Sequence, residues 1–393
     1  MKTAVSRTLF RAAFRAAVVG FLAIELLDEL VFGAREAALP SIRTDLGLSY
    51  AEIGVALALP NVASALAEPL LGLLGDLWRR RLLVVGGGVA YGLALLLLAG
   101  AAGFWMLLVS FMILYPASGA FVSLAQASFM DSAPERRERN MLRWTLAAYV
   151  GALAGPPLVG LALALGVGWR PVFAGLGLLA LAIAVGSTRL PLAAAPAEPG
   201  AAGLRSAVRA LRNRAVVWWL VLLEAADSLG DVLFAFLALY LVDEVGLTGA
   251  EAALVLTAWL GAGLAGNLAA LRIVDRVGGL RLVRATAAAA VVVYAGFLLV
   301  EPFGLKLALL LALGVLVAGW YPVLKARLYA QLPGRSGTVM AAAGAFDLVA
   351  IVPPLAVGLA ANRYGLDVAL WLLLAGPLVL LAGLRPAREA AVR

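Results

Sequence analysis

The chain contains no cysteine and no histidine in 393 residues. The first absence excludes disulfides and thiol chemistry. The second removes the commonest metal ligand, and the two together leave little for haem or transition-metal sites. No histidine also means no imidazole proton carrier, so any proton work near neutral pH falls to carboxylates. Charge is scarce as well. Only 14% of residues are Asp, Glu, Lys or Arg, against about a quarter in soluble domains. No Gly-x-x-x-x-Gly-Lys sequence is present, so nothing points to a phosphate-cradling loop for ATP. Without a His, Cys or nucleophile motif, the chain does not read as an enzyme, and no cofactor or metal is expected.

What remains is greasy. The composition is 64% hydrophobic and the mean hydropathy is +0.99. The apolar runs are helix-length rather than the alternating ten-residue segments of a membrane barrel. Spans are expected near 14–40, 50–75, 82–101, 104–130, 139–166, 169–190, 215–241, 250–271, 282–301, 304–328, 338–361 and 366–384. Each is long enough to cross a hydrocarbon core of about 30 Å. The first run is too long for the core of a cleavable signal and lacks a small-residue cleavage site, so it reads as the first span. The stretch 191–214 is rich in Pro, Ala and Gly, then basic. It reads as a linker between an N-terminal half, 1–190, and a C-terminal half, 215–393.

The cations orient the chain. With the N-terminus in the cytoplasm, all Lys and Arg fall on cytoplasmic segments except Arg35, Arg43, Arg170, Lys306 and Arg363. That bias is the positive-inside pattern. It places both termini in the cytoplasm of a multi-pass protein of the plasma (inner) membrane. It also accounts for the net charge of +8 through anionic lipid head groups, with no nucleic-acid partner.

The halves align at a constant offset of 199 residues. Glu25 and Asp28 match Glu224 and Asp227, "DLGLSYAE" (45–52) matches "EVGLTGAE" (244–251), and Asp76 matches Asp275. Pro134 and Met141 match Pro333 and Met340. Six spans per unit is an even number, so both units share one orientation. This is a parallel repeat of the kind secondary transporters use.

Span two ends in "GLLGDLWRRR" (72–81) and span eight in "LRIVDRVGGLR" (271–281). These stretches resemble the loop signature of the major facilitator superfamily, Gly-x-Leu-x-Asp-Arg-x-Gly-Arg-Arg. Gly72, Leu74, Asp76, Arg80 and Arg81 fit the first copy, and Asp275, Arg276 and Gly278 the second. Leu77 replaces the first Arg and Arg79 the second Gly, so the tight turn is built differently while the charges survive. The resemblance covers the whole chain. It implies an all-α membrane fold of twelve transmembrane helices in two pseudo-symmetric six-helix halves. It also implies that Asp76 and Asp275 pair with Arg, or with a helix N-terminus, at a gate that forms and breaks.

Span five carries "GALAGPPLVG" (151–160). Gly151, Gly155, Pro156 and Gly160 resemble the Gly-x-x-x-Gly-Pro motif of proton-coupled drug exporters, in which it is associated with antiport. Small residues four apart permit close helix packing, so a packing seam is the other reading of the same residues. A weaker likeness, through "LGLSYAEIG" and "EPLLGLLGD", is to fosmidomycin-resistance-type exporters.

The costliest residues are the acids within spans. An acid at the centre of a span costs about 2.5–3.5 kcal/mol on an insertion scale. At 100° per residue, Glu25, Asp28 and Glu29 share one face of span one about 100° wide, and Glu224, Asp227 and Asp231 share one of span seven about 60° wide. In the family fold both spans line the central cavity. The acids then read as proton carriers, as a negative lining for cationic amphiphiles, or as hydrogen-bonding groups between helices. Arg35 lies about 10 Å beyond Asp28 on nearly the same face. It suits either neutralisation of Asp28 or an anionic group. Glu68 in span two and Asp347 in span eleven are further intramembrane acids. Arg143, Lys325 and Arg327 read as snorkelling cations. Trp144, Tyr149, Trp218, Trp219, Trp259, Trp320 and Tyr321 read as cavity aromatics or interface anchors.

Together these features point to a monomeric secondary transporter exporting a small amphiphilic or cationic compound in exchange for protons, an activity of the multidrug-resistance type. A proton-coupled symporter for a nutrient or sugar and a lysolipid or lipid flippase are the alternatives.

Overall fold

A computed structural model describes residues 2–77, 80–132, 137–192, 211–331, 346 and 348–384 of the chain. All regular structure among the described residues is helical. In chain order the helices are α1 (Lys2–Leu46), α2 (Tyr50–Leu77), α3 (Arg80–Ala99), α4 (Phe104–Ser118), α5 (Leu124–Asp131), α6 (Arg137–Ala164) and α7 (Arg170–Ser187). Then follow α8 (Arg214–Asp227), α9 (Leu233–Asp243), α10 (Gly249–Val277), α11 (Gly279–Leu299), α12 (Phe303–Val317), α13 (Trp320–Ala330), α14 (Val352–Tyr364), α15 (Leu366–Ala369) and α16 (Ala375–Gly383).

Among the described residues, ten helical segments are long and apolar enough to cross a membrane. The two other expected spans have specific reasons for standing apart. Helix α1 is 45 residues long, but Glu25, Asp28, Glu29, Arg35 and Glu36 interrupt its apolar run. Span eleven begins at residues 338–345, which lie outside the described residues, as does most of the linker.

Four boundaries differ from the sequence reading. Span one does not stop at Pro40: α1 runs through it to Leu46, and Thr44 Oγ1 donates to the Pro40 carbonyl at 2.9 Å. Span four is not one regular helix, because a π-helical turn (Gly119–Ser123) joins α4 to α5. Span seven carries another (Ser228–Val232) between α8 and α9. Span ten breaks at Ala318 and Gly319, between α12 and α13. The irregularities in spans four and ten sit one repeat apart, since Gly119 and Ala318 differ by the 199-residue offset. Each site carries a helix-weakening residue, Gly119 after Pro116, Gly230, and Gly319 before Pro322, but glycine and proline also stand inside regular helices such as α6, so periodicity alone misses the breaks.

The chain divides into two compact units. The first comprises Met1–Arg35, Asp45–Gly47 and Val62–Gly200. Its frame is α3 packed between α4 and α7. Gly92 and Gly177 meet there: a Cβ on either would fall 2.9 Å from the other's carbonyl oxygen. Arg170 ties one end of this unit. It pairs with Asp45 at 2.8 Å and donates to the carbonyls of Ala99 and Ala101.

The second unit comprises Glu36–Thr44, Leu48–Asn61 and Ala201–Arg393. Here Arg43, near the end of α1, pairs with Asp243 at 2.9 Å, and Tyr50 Oη donates to the same carboxylate at 2.7 Å. Arg43 also stacks 4.1 Å over the Tyr50 ring. Helices α2 and α14 touch through glycine, with a Cβ on Gly54 only 2.9 Å from Gly358 Cα. Lys306 is buried. Its ammonium donates to Tyr240 Oη at 2.7 Å and to the Phe297 carbonyl at 2.9 Å, and lies over both rings. Lys306→Met keeps the stem but strips both acceptors of their donor. The expected cost is about 1–3 kcal/mol, read as a lowered melting temperature, with Tyr240→Phe costing less.

The repeat is visible in one turn of each sequence half. After α1, Gly47 adopts φ +64, the Leu48 N–H donates to the Arg43 carbonyl, and Ser49 and Glu52 form a reciprocal cap. After α9, Gly246 adopts φ +80, the Leu247 N–H donates to the Leu241 carbonyl, and Thr248 and Glu251 form the same cap. Left-handed φ demands glycine, and the Ser/Thr-x-x-Glu box stops the next helix from fraying. That is why "DLGLSYAE" and "EVGLTGAE" keep those letters.

Candidate functional site

In the first unit the site is built on α1, and α6 sets its position. Gly151 and Gly155 lay the α6 backbone directly on α1. A Cβ at Gly151 would sit 2.9 Å from the Glu29 Cβ and 3.0 Å from the Leu30 N. One at Gly155 would sit 2.6 Å from the Leu30 carbonyl oxygen and 2.7 Å from the Gly33 carbonyl carbon. Gly33 answers from the other side, where its Cβ would lie 3.0 Å from Pro156 Cδ. Gly160 is buried further along α6. The small-residue motif of span five therefore clamps α1 at the level of its carboxylates.

Each acid there has its own surroundings. Glu25 is buried and takes a hydrogen bond from Trp144 on α6. Asp28 takes one from Ser118 Oγ on α4, at 2.9 Å, and another from Tyr91 on α3. Glu29 is half-buried and close enough to Glu25 for their charges to interact. The Asp28 donors come from helices that periodicity on α1 alone does not reveal. Ser118 is the last residue before the π-helical turn of span four. That turn is wedged against α3: a Cβ on Gly87 would fall 2.7 Å from Ala120 Cβ.

Arg35 is buried on the same helix. It donates to Tyr115 Oη and lies among the rings of Phe32, Phe111 and Tyr115, at 5.1, 5.8 and 5.2 Å. It also lies within electrostatic reach of Asp28. An arginine in an aromatic setting keeps its charge while shedding water.

In the second unit, Glu224 and Asp227 are half-buried on α8, and Asp231 sits in the π-helical turn. Its electrostatic neighbour is Glu36, a fully buried acid of α1. The sequence reading missed Glu36. The signal was there: eleven residues beyond Glu25, three helical turns return it to within about 20° of the same face.

The remaining expected residues are dispersed. Arg80 is buried, with Ser128 Oγ at 3.5 Å, and Arg81 donates to the Leu190 carbonyl at 3.2 Å. Asp275 and Arg276 are exposed at the end of α10, and Gly278 closes it with φ +88. Asp347 lies outside the described residues. Gly72, Asp76 and Glu68 lie in α2, with side chains outside the description. Of the aromatics named above, Trp144 reaches a carboxylate, and Trp320 is buried with its Nε1 donating to Thr286 Oγ1. Among the described residues no three acids converge as a metal site.

The Major Facilitator Superfamily family model matches residues 30–354. A chloramphenicol resistance protein of Streptomyces lividans is 25% identical over 243 residues, spanning 60% of this chain. The chain covers 61% of that relative's length. Among solved structures, a bacterial homologue of the human lysosomal transporter Spinster, inward-facing and occupied, superposes with a TM-score of 0.73. Identity there is 15%, over 95% of this chain and 93% of that one. The nucleoside transporter NupG superposes at 0.77 with 14% identity, over 94% and 98%. A D-xylose-proton symporter superposes at 0.69 with 16% identity, over 96% of each chain.

Proposed function

This chain belongs to the Major Facilitator Superfamily, and from that premise we propose that it exports a small amphiphilic or cationic compound in exchange for protons. It is a multi-pass membrane protein and a transporter of small molecules. The observation that carries the finer reading is Asp28. It is a carboxylate in the middle of a span, held by two hydroxyls from two other helices.

The chemistry follows from donor counting. As an anion, Asp28 accepts from Tyr91 and Ser118 at once. Taking up a proton turns one of its oxygens into a donor, and one of those hydroxyls must turn away or bond differently. Protonation of α1 is thereby felt on α3 and α4. Glu25, one turn back and bonded to Trp144, is the second proton holder, and Glu29 sets the charge that the two share. A compound carrying positive charge gains most when these acids are ionised, so its departure and proton arrival favour each other. Asp45–Arg170 holds one unit together, and Arg43–Asp243 with Tyr50 holds the other.

Export, rather than uptake, is supported by the Gly151–Gly155–Pro156 motif and by the chloramphenicol resistance relative. The test is accumulation in cells. Cells producing the protein should hold less chloramphenicol or tetraphenylphosphonium than controls, and a protonophore should erase the difference. Greater accumulation than controls would instead mark a symporter.

A further inference from the structure

Besides the carboxylate face, the first unit holds a groove of about 390 Å3 between α2, α3 and α4. Leu71, Leu82, Gly86, Ala90, Ile113 and Ala117 are among its lining residues. Three features say what fills it. The first is chemistry: all its lining side chains are apolar, on three helices within the membrane-crossing set.

The second is reach. On α3 the lining runs from Leu82 to Ala90, about 12 Å at 1.5 Å per residue. That is nearly one leaflet of a hydrocarbon core about 30 Å thick. The groove begins two residues after α3 opens with Arg80 and Arg81, and its α3 lining ends at mid-span. The mouth thus lies at a helix N-terminus beside positive charge, where a phosphate is favoured. The lining includes Ala90 and Ala117, sequence neighbours of Tyr91 and Ser118, and continues to Met112 and Ile113.

The third is a glycine that packing does not require. In the run Gly86-Gly87-Gly88, a Cβ at 87 would fall 2.9 Å from the Phe121 N, and one at 88 would fall 2.7 Å from the Phe121 ring. A Cβ at 86 would meet nothing within 4 Å. Gly87 and Gly88 admit the π-helical turn of span four. Gly86 only keeps the groove open.

We propose that this groove is a binding site for one acyl chain of an anionic phospholipid, whose phosphate rests at the start of α3. The lipid then presses on the segments that present Tyr91 and Ser118 to Asp28. This goes beyond the export reading and does not depend on the transported compound.

The test uses the full chain, purified in mild detergent and stripped of lipid. Phosphatidylglycerol and phosphatidylcholine with the same acyl chains are added, and bound lipid is counted by native mass spectrometry. Wild type should bind phosphatidylglycerol about tenfold more tightly than phosphatidylcholine, and Gly86→Phe should lose about tenfold of that affinity with its lipid-free melting temperature unchanged. Phosphatidylglycerol carrying a diazirine at mid-chain should label peptides around 82–90 and 112–120. Equal binding by Gly86→Phe, no head-group preference, or labelling only elsewhere would overturn the proposal. Displacement of the lipid by chloramphenicol would overturn it too, making the groove a substrate port.

Discussion

In reconstituted Asp28→Asn protein, proton-driven transport is expected to fall by about a hundredfold, a barrier increase of about 3 kcal/mol, while the protein still folds. Asparagine keeps the size and still accepts from Ser118 Oγ and Tyr91. It cannot exchange a proton, so the switch in donor count never occurs. The expected signature separates coupling from binding: substrate-for-substrate exchange, which needs no proton turnover, should survive. Loss of exchange along with driven transport would move Asp28 from proton carrier to substrate ligand. Glu25→Gln should have a smaller effect, because Trp144 can still donate to the amide oxygen.

The second large effect is on stability. Gly155→Leu should cost more than about 3 kcal/mol, beyond the usual range for overpacking. The reason is what surrounds the new atoms. A bare Cβ at 155 would already meet the Leu30 oxygen at 2.6 Å and the Gly33 carbon at 2.7 Å, both of them backbone. Backbone of a packed helix has no rotamer by which to retreat. Gly155→Ala should therefore also be harmful, though less so, whereas Gly86→Leu should change the lipid-free melting temperature little, since its Cβ meets open space. Thermal unfolding in detergent measures all three. Where Gly155→Ala still folds, α1 must shift, and Glu25 should lose its bond to Trp144, read as a change in tryptophan fluorescence.

These two cases show how the sequence carries the site. The acids of "ELLDEL" and "EAADSLGD" are legible because charge in an apolar run is costly and because the 199-residue offset pairs them. The Gly151–Gly155 spacing is legible as close packing, and the structure puts that packing against the acid-bearing stretch of α1. The partners of the acids are not legible. Tyr91, Ser118 and Trp144 come from three other helices, and nothing local marks an ordinary Tyr or Ser as a donor to Asp28. The π-helical turns are hidden for a related reason: Gly119–Ser123 fits α3 through Gly87, a tertiary contact that no helical period records. Glu36 stands between these cases. Its angle on α1 is readable, yet its significance depends on Asp231, its electrostatic neighbour in span seven. Pro40 misleads in the opposite direction, because α1 continues through it to Leu46.

The central claim is that proton movement and substrate movement are one process through Asp28. The most direct measurement is internal pH in proteoliposomes with no imposed pH gradient, on addition of an outward or inward gradient of chloramphenicol or tetraphenylphosphonium. The account predicts proton flux opposite to substrate flux with wild type, and none with Asp28→Asn. Substrate movement without proton movement, or equal proton flux in Asp28→Asn, would contradict it.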